Sequence, residues 1–215
     1  MTAPTLDHQK TAMLFFDMLN TYCRRGDEAA LKRTAVQIAN CVRLMEASRG
    51  AGVPVFHAKG EHRPDGADTA FLLTDTDYSL KPWADPIHPS WALPKAVRGS
   101  WDGEIIDELK PQPGDYVIPK QRWSAFYQTN LELSLRNRGI NTIILAGGST
   151  DVGIAATAYD ARDRDYNLVI VRDACSTAHL EANHQQFMDH IFPRMAWVRT
   201  TEQALAMLPA RSPSL

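Results

Sequence analysis

The stretch IILAGGSTDVGIAATAYDA, residues 143–161, decides the fold. It predicts a buried strand, a turn of small residues, and a helix that opens at residues 150–151. In open α/β sheets, ligands bind where such strands end, close to a helix N-terminus. Gly153 falls in the first helical turn, where glycine costs about 1 kcal/mol relative to alanine. That cost requires a structural or functional reason.

The rest of the chain alternates short apolar runs with helical patterns. Other strands are predicted at 12–17, 53–57, 116–119, 168–172 and 195–199, and helices at 29–50, 125–138, 151–164, 181–192 and 201–208. This alternation predicts a single domain over 1–215, with a mainly parallel sheet covered on both faces. Residues 59–100 are predicted to run over the surface with one short helix near 69–73, either as a lid or as a poorly ordered insertion.

The bulk composition excludes several classes of function. A net charge of −2 and a pI near 6.4 give no electrostatic case for binding nucleic acid or anionic membranes. No apolar run reaches the roughly 18–20 residues of a transmembrane helix, and the first ten residues lack a secretory signal pattern. The three cysteines have neither metal-ligand nor CxxC spacing, which fits a reducing compartment. We therefore expect a soluble cytoplasmic protein.

Polar side chains follow three of the predicted strands, at Asp17, Lys120 and Asp173. Because the carboxyl ends of parallel strands meet at one edge of the sheet, Asp17 and Lys120 are expected to meet at a ligand crevice. Simpler roles remain open for each residue. Asp17 fits a turn cap, Lys120 a surface lysine, Asp173 a cap of the following segment, and Thr150 or Asp151 a helix N-cap.

The aromatic and histidine residues give weaker signals. Trp123 and Phe126 follow Lys120 and are predicted to form the wall of an aromatic pocket. His57 and His62 lack metal-ligand spacing, so no metal site is predicted. The remaining candidates are assigned to loop anchoring or a subunit contact (Trp83, Trp91, Trp101) and to the surface or core (His179, His184, His190).

Four segments carry a resemblance to a known family. They are FFDMLN at 15–20, KQRWSAFYQTNLELSLRNRGI at 120–140, GGSTDVGIAATAYDARDRDY at 147–166 and VIVRDACST at 169–177. Together they resemble the isochorismatase-like hydrolase superfamily, also called the cysteine hydrolases, over essentially the whole chain. The resemblance implies a three-layer αβα fold with a six-stranded, mainly parallel, Rossmann-like sheet. It also implies a homo-oligomer, a dimer or a tetramer.

The resemblance also assigns roles to individual residues. In that family an Asp–Lys–Cys triad hydrolyses small C–N bonds, and the three positions fall on Asp17, Lys120 and Gly153. A thiolate route is therefore closed, and none of the three cysteines is expected to substitute. The true isochorismatases resemble this chain in carrying glycine there, and they cleave a vinyl ether with the aspartate as proton donor.

These roles predict a hydrolase that acts on a small molecule without a cysteine nucleophile or a cofactor. Asp17 would be the general acid or base, Lys120 would hold an anionic substrate or tune the carboxylate, and Gly153 would leave space for a water molecule or a substrate group. Ser149 and Thr150 match the turn that supplies oxyanion-type donors.

One departure from the family pattern and two alternatives accompany this hypothesis. The loop after the second strand carries Arg63 as a substrate-binding candidate, but it lacks the glutamine of the isochorismatases, which disfavours chorismate-type substrates. One alternative is a C–N hydrolase whose nucleophile at position 153 was replaced. The other is a non-catalytic binding protein on the same fold.

Overall fold

The computed structural model describes residues 4–68, 95–177 and 180–209, and these form a six-stranded, entirely parallel sheet. The strands are β1 (Thr11–Phe16), β2 (Val55–Gly60), β3 (Tyr116–Lys120), β4 (Thr142–Gly148), β5 (Asn167–Ser176) and β6 (Trp197–Arg199). Their order across the sheet is β3-β2-β1-β4-β5-β6. This order confirms the predicted Rossmann-like α/β fold. It reverses between β1 and β4, where open α/β sheets form a crevice.

The helices that connect these strands are α1 (Asn20–Cys23), α2 (Glu28–Gly50), α3 (Leu131–Asn137), α4 (Ala155–Asp163), α5 (Glu181–Gln186) and α6 (Thr201–Leu205). Apart from the short α1, which the sequence pattern does not predict, and the late start of α3, they lie close to their predicted places. A π-helical turn, Thr150–Ile154, leads into α4, and another, Phe187–Ile191, follows α5. The predicted short helix at 69–73, Trp83, Trp91 and His179 lie outside the described residues.

The central strand β1 divides the core into two layers because its side chains alternate between the faces of the sheet. Leu14 and Phe16 belong to a cluster with buried residues of α3 and α4. Met13 and Phe15 belong to a second cluster, with buried residues of α2 and α6. All residues of β1 are buried, as expected for a central strand covered on both sides. The predicted three-layer arrangement is therefore confirmed.

Two local predictions are wrong, and side-chain hydrogen bonds explain both. The helix expected from residue 125 begins only at Leu131, because Ser124 and Thr129 bond to neighbouring backbone groups instead. Strand β5 continues past Asp173, whose Oδ1 accepts hydrogen bonds from the backbone N–H and hydroxyl of Thr201. Asp173 therefore holds the start of α6 and does not cap the segment that follows it.

The length and polarity of the helices bear on membrane insertion. Within the described ranges, we find no helix that is both long enough and apolar enough to span a bilayer.

Strand β2 contains a buried histidine with few interactions that offset the loss of its hydration. His57 is 2% exposed and stacks on Phe15, with ring centroids 5.6 Å apart. Neither of its ring nitrogens has a hydrogen-bond partner among the described residues. Burial lowers the pKa of His57 to about 4, against the opposing pull of Asp115, whose Oδ2 lies 3.8 Å from Nε2. Arg49, paired with Asp115, contributes to the lowering.

This buried histidine makes stability depend on pH. The unfolded chain binds a proton at His57 near pH 6.5 and the folded chain only near pH 4, so the free energy of unfolding falls as the pH drops through that window. The upper limit of the loss is about 3 kcal/mol. We expect urea unfolding to show that His57→Phe loses less stability than the wild type between pH 6.5 and pH 4. Parallel stability curves for the two proteins would contradict this assignment.

Candidate active site

Asp17 is positioned by the end of β1 and by the neighbouring strand β2. It follows the last residue of β1 directly and adopts a left-handed backbone conformation with φ 50°. Its backbone N–H donates to the carbonyl oxygen of Ala58 at 2.8 Å, and its Oδ1 accepts from the backbone N–H of Gly60 at 2.6 Å. The carboxylate is therefore held at the carboxyl edge of the sheet by main-chain contacts on β2.

Lys120 reaches the same carboxylate from β3. It is the last residue of that strand and lies opposite Gly60 in the parallel register. Its Nζ donates to Asp17 Oδ2 at 2.8 Å. The side chains are only 6% and 11% exposed, so this is a buried ion pair and not a surface lysine beside a turn cap. The structure thus brings together the two residues that their strand-end positions predicted.

The ring of Phe16 lies beneath this ion pair. Phe16 is 1% exposed, and the Lys120 ammonium lies over its ring, 4.2 Å from the ring centroid. A cation over an aromatic face is attracted by the ring quadrupole, and by about 2 kcal/mol or more when the cation is desolvated. The lysine is therefore fixed by two partners, the carboxylate and the ring.

The same ring explains the glycine in the helix. A Cβ added to Gly153 would overlap Cε1 and Cζ of Phe16 and would lie 3.0 Å from its Cδ1. The aromatic ring therefore fills the side of Gly153 that a Cβ would occupy, while space for a water molecule or a substrate group elsewhere around this glycine stays a prediction. Only glycine at position 153 allows Phe16 to approach this closely. The packing of Phe16 offsets the poor helix propensity of Gly153.

A second glycine allows the strand that carries Phe16 to pack closely. Gly147 in β4 has φ +125°, and a Cβ there would overlap the backbone oxygen of Phe16. Gly147 of β4 therefore packs against the backbone of Phe16, and Gly153 of the following helical turn packs against its ring.

The polar side chains in the turn after β4 form hydrogen bonds with one another and with the segments packed beside the turn. The hydroxyl of Thr150 is fully buried, donates to the carbonyl oxygen of Ser176 and lies 2.8 Å from Nδ1 of His184. Ser149 is the N-cap residue of the helical turn but makes no side-chain cap, and its Oγ lies 2.8 Å from Asp151 Oδ1. The prediction that Thr150 or Asp151 is the helix N-cap is therefore wrong.

The groups in this cluster stabilise the junction between strand and helix. Burial opposes ionisation of Asp151, but hydrogen bonds from Asn183, Ser149 and Thr177 outweigh it and lower its pKa. The backbone N–H groups of Val152 and Ile154 both donate to the carbonyl oxygen of Ser149. Those two donors are therefore already used within the turn.

Three other predicted residues take different positions. Phe126 is 4% exposed and packs in the core against Tyr166, with centroids 5.7 Å apart, so it is a core residue and not the wall of an open pocket. Trp123 is half exposed. The exposed guanidinium of Arg63 pairs with Asp65.

The three cysteines are all buried, and none resembles a nucleophile. Burial raises the pKa of Cys23 and of Cys175 to about 12, and it raises the pKa of Cys41 well above its usual value. Because only the thiolate attacks, these thiols are inert at neutral pH.

Sequence reasoning missed three contributors to the site. Phe16 and Gly60 carry no chemical group that marks them, although a glycine inside a helix such as Gly153 signals that some other atom approaches closely. Tyr22 lies in α1 and is half exposed as a residue, but partial burial of its phenol, together with the negative charge of Asp17, raises the pKa of that phenol. Its proximity to Asp17 in the sequence was the only available signal.

Over residues 4–68, 95–177 and 180–209, no three or more His, Cys, Asp or Glu side chains come together as a group that could hold a metal ion.

Comparison with known proteins identifies the family. The isochorismatase domain model matches residues 11–203. The chain is 32% identical to the ureidoacrylate amidohydrolase RutB of Methylobacterium radiotolerans, covering 97% of this chain and 84% of that protein. It is 37% identical to the isochorismatase family protein YecD of Escherichia coli O157:H7, covering 81% and 85% of the two chains. The chain therefore belongs to the isochorismatase family.

Solved structures agree with this assignment. A cysteine hydrolase from Pseudomonas syringae pv. phaseolicola superposes with a TM-score of 0.78 at 26% identity, covering 97% of this chain and 98% of that one. The fold implied by the sequence resemblance is therefore confirmed.

The contact between Phe16 and position 153 predicts an unusual effect of alanine. Gly→Ala inside a helix normally stabilises by up to about 1 kcal/mol, but the added Cβ at 153 would overlap the Phe16 ring. We expect Gly153→Ala to lower the melting temperature by several degrees in differential scanning calorimetry. Gly50→Ala is the matched control, since Gly50 is helical and an added Cβ there meets nothing within 4 Å. A stabilising Gly153→Ala would contradict the contact.

Proposed function

We propose that this isochorismatase-family chain hydrolyses a small molecule by a route that forms no covalent intermediate, with Asp17 as the proton-transferring group. The observation that carries the proposal is the buried contact between Lys120 Nζ and Asp17 Oδ2 at 2.8 Å, at the carboxyl edge of the sheet. Buried ion pairs are expensive to maintain, so one at the position where such folds bind ligands favours a functional role.

The geometry favours Asp17 as a general base. Both carboxylate oxygens accept hydrogen bonds, Oδ1 from the Gly60 N–H and Oδ2 from Lys120, and acceptance at both oxygens suits the ionised form. Each oxygen keeps a further lone pair that can take a proton from water. Asp17 would remove that proton as the water attacks the substrate, and would return it to the leaving group.

Lys120 would serve this step through its charge. Its ammonium holds the carboxylate in one orientation and offsets negative charge that develops as the water attacks. The half-exposed Tyr22 carries a protonated phenol at neutral pH, and burial of that phenol and the charge of Asp17 raise its pKa further, so it would donate a hydrogen bond to a bound substrate.

The thiol route has no candidate nucleophile in this chain. Position 153 carries hydrogen in place of a side chain, and the Phe16 ring lies where a Cβ would be. The three cysteines are buried, with raised pKa values. These observations support a direct attack by water over a covalent thioester.

The relatives suggest which substrates to test first. RutB of Methylobacterium radiotolerans is named as an amidohydrolase of ureidoacrylate. Ureido acids and small amides are therefore the first class to assay, and vinyl ethers are the second. A purely binding role on the same fold is less favoured, because Asp17 and Lys120 contact each other at the ligand-binding edge.

Replacing the proposed base gives the direct test. We expect Asp17→Asn to lower kcat by at least about 100-fold on whichever substrate of the panel is turned over, since general acid–base groups contribute about 10²–10⁴-fold. The control is Asp102→Asn, which removes an exposed partner of Arg25 and should leave kcat unchanged. Retained kcat in Asp17→Asn, or ligand binding without any turnover across the panel, would contradict the proposal.

Alkylation separates the two chemical routes. We expect iodoacetamide at neutral pH to leave the wild-type rate unchanged, because the three thiols are buried and protonated. The measurement is residual activity after incubation, with intact mass recorded in parallel. Loss of activity that tracks the modification of one cysteine would support a thiol route instead.

A further inference from the structure

We propose that Phe16 is a positioning residue of this site, whose ring both excludes any side chain from position 153 and determines where the Lys120 ammonium lies. The inference deepens the proposed function and rests on it for the role of Lys120. Its physical content can nevertheless be tested without any substrate.

The exclusion follows from the geometry on one side of the ring. A Cβ at 153 would overlap Cε1 and Cζ, and it would lie at 3.0 Å from Cδ1. The backbone of Phe16 is held because its strand pairs with β2 and β4 on both sides, and its ring can turn only against the other buried side chains of its core cluster. Its backbone is also fixed against Gly147. The identity of residue 153 is therefore coupled to the identity of residue 16.

The lysine placement follows from the face of the same ring. Lys120 Nζ lies 4.2 Å from the ring centroid while it donates to Asp17 Oδ2. A buried ammonium needs more than one partner to offset its lost hydration. Without the ring, Lys120 would retain its hydrogen bond to Asp17 but would lose its contact with the aromatic face. Residues 16 and 17 are adjacent, so one short segment sets both contacts.

A double-mutant cycle tests the exclusion. The four proteins are the wild type, Gly153→Cys, Phe16→Val and the double variant, and the readout is the melting temperature. Valine lacks all three ring atoms that the Cβ would approach. We expect Gly153→Cys to lower Tm by about 5 °C or more in the wild-type background, as overpacking does. In the Phe16→Val background the same substitution should leave Tm unchanged or raise it.

The neighbouring phenylalanine provides the matched control. Phe15 is equally buried, but it faces the other core cluster and stacks on His57. Phe15→Val should therefore destabilise without relieving the effect of Gly153→Cys. Equal Tm losses for Gly153→Cys in all backgrounds would overturn the proposal. If Phe16→Val does not fold, Phe16→Leu replaces it, since leucine also lacks Cε1 and Cζ.

The reactivity of the Lys120 amine tests its placement. In the wild type the ammonium is buried between Asp17 Oδ2 and the Phe16 ring, so acetic anhydride should acetylate Lys120 slowly. Phe16→Val removes the ring face, and we expect it to raise the acetylation rate of Lys120 about tenfold, the effect of losing a cation–π contact of ordinary strength. Phe15→Val leaves that face in place and should not change the rate. Peptide mapping identifies the labelled lysine, and equal rates in Phe16→Val and the wild type would overturn this part of the inference.

The outcomes distinguish this inference from the proposed function. Additive Tm effects would remove the role of Phe16 but leave the Asp17 assay untouched. Conversely, full activity of Asp17→Asn would remove the proposed function but leave the coupling between residues 16 and 153 in place.

Discussion

The buried ion pair between Lys120 and Asp17, resting on the ring of Phe16, is the contact on which the rest of the site depends. The parallel register of three strands creates it: β1 ends before the aspartate, β2 provides the Gly60 N–H, and β3 ends in the lysine. Removing two charges from water is costly, and one partner alone rarely compensates. Here a backbone amide and an aromatic face supply the additional contacts.

The second constraint is steric, and it links the sheet to the helix that follows β4. Burying a phenylalanine side chain stabilises by about 1.5–3 kcal/mol, whereas a glycine in a helix costs about 1 kcal/mol. The ring of Phe16 is fully buried against Gly153, so its burial outweighs the poor helix propensity. The packing of Phe16 therefore explains Gly153 independently of any lost nucleophile. The packed ring and the missing nucleophile both limit the chemistry that the site can perform.

The fold and the two charged residues were predictable because local rules govern them. Apolar runs located the strands, and the positions of Asp17 and Lys120 after strand ends placed them at one edge of the sheet. The role of Phe16 was not predictable, because alternation along a strand shows which face a residue occupies but not which distant atom it meets. Likewise, the hydrogen bonds of Thr129 and Asp173 depend on where other segments lie.

Ring-current shifts in NMR spectra test the central constraint most directly, since they report what lies against the Phe16 ring in solution. The Lys120 Hε protons lie near the ring face and Gly153 lies against its edge atoms. The account predicts upfield-shifted Hε resonances for Lys120 and displaced Hα resonances for Gly153, both lost in Phe16→Leu and retained in Phe15→Leu. Unperturbed shifts for Lys120 and Gly153 in the wild type, unchanged by Phe16→Leu, would contradict it.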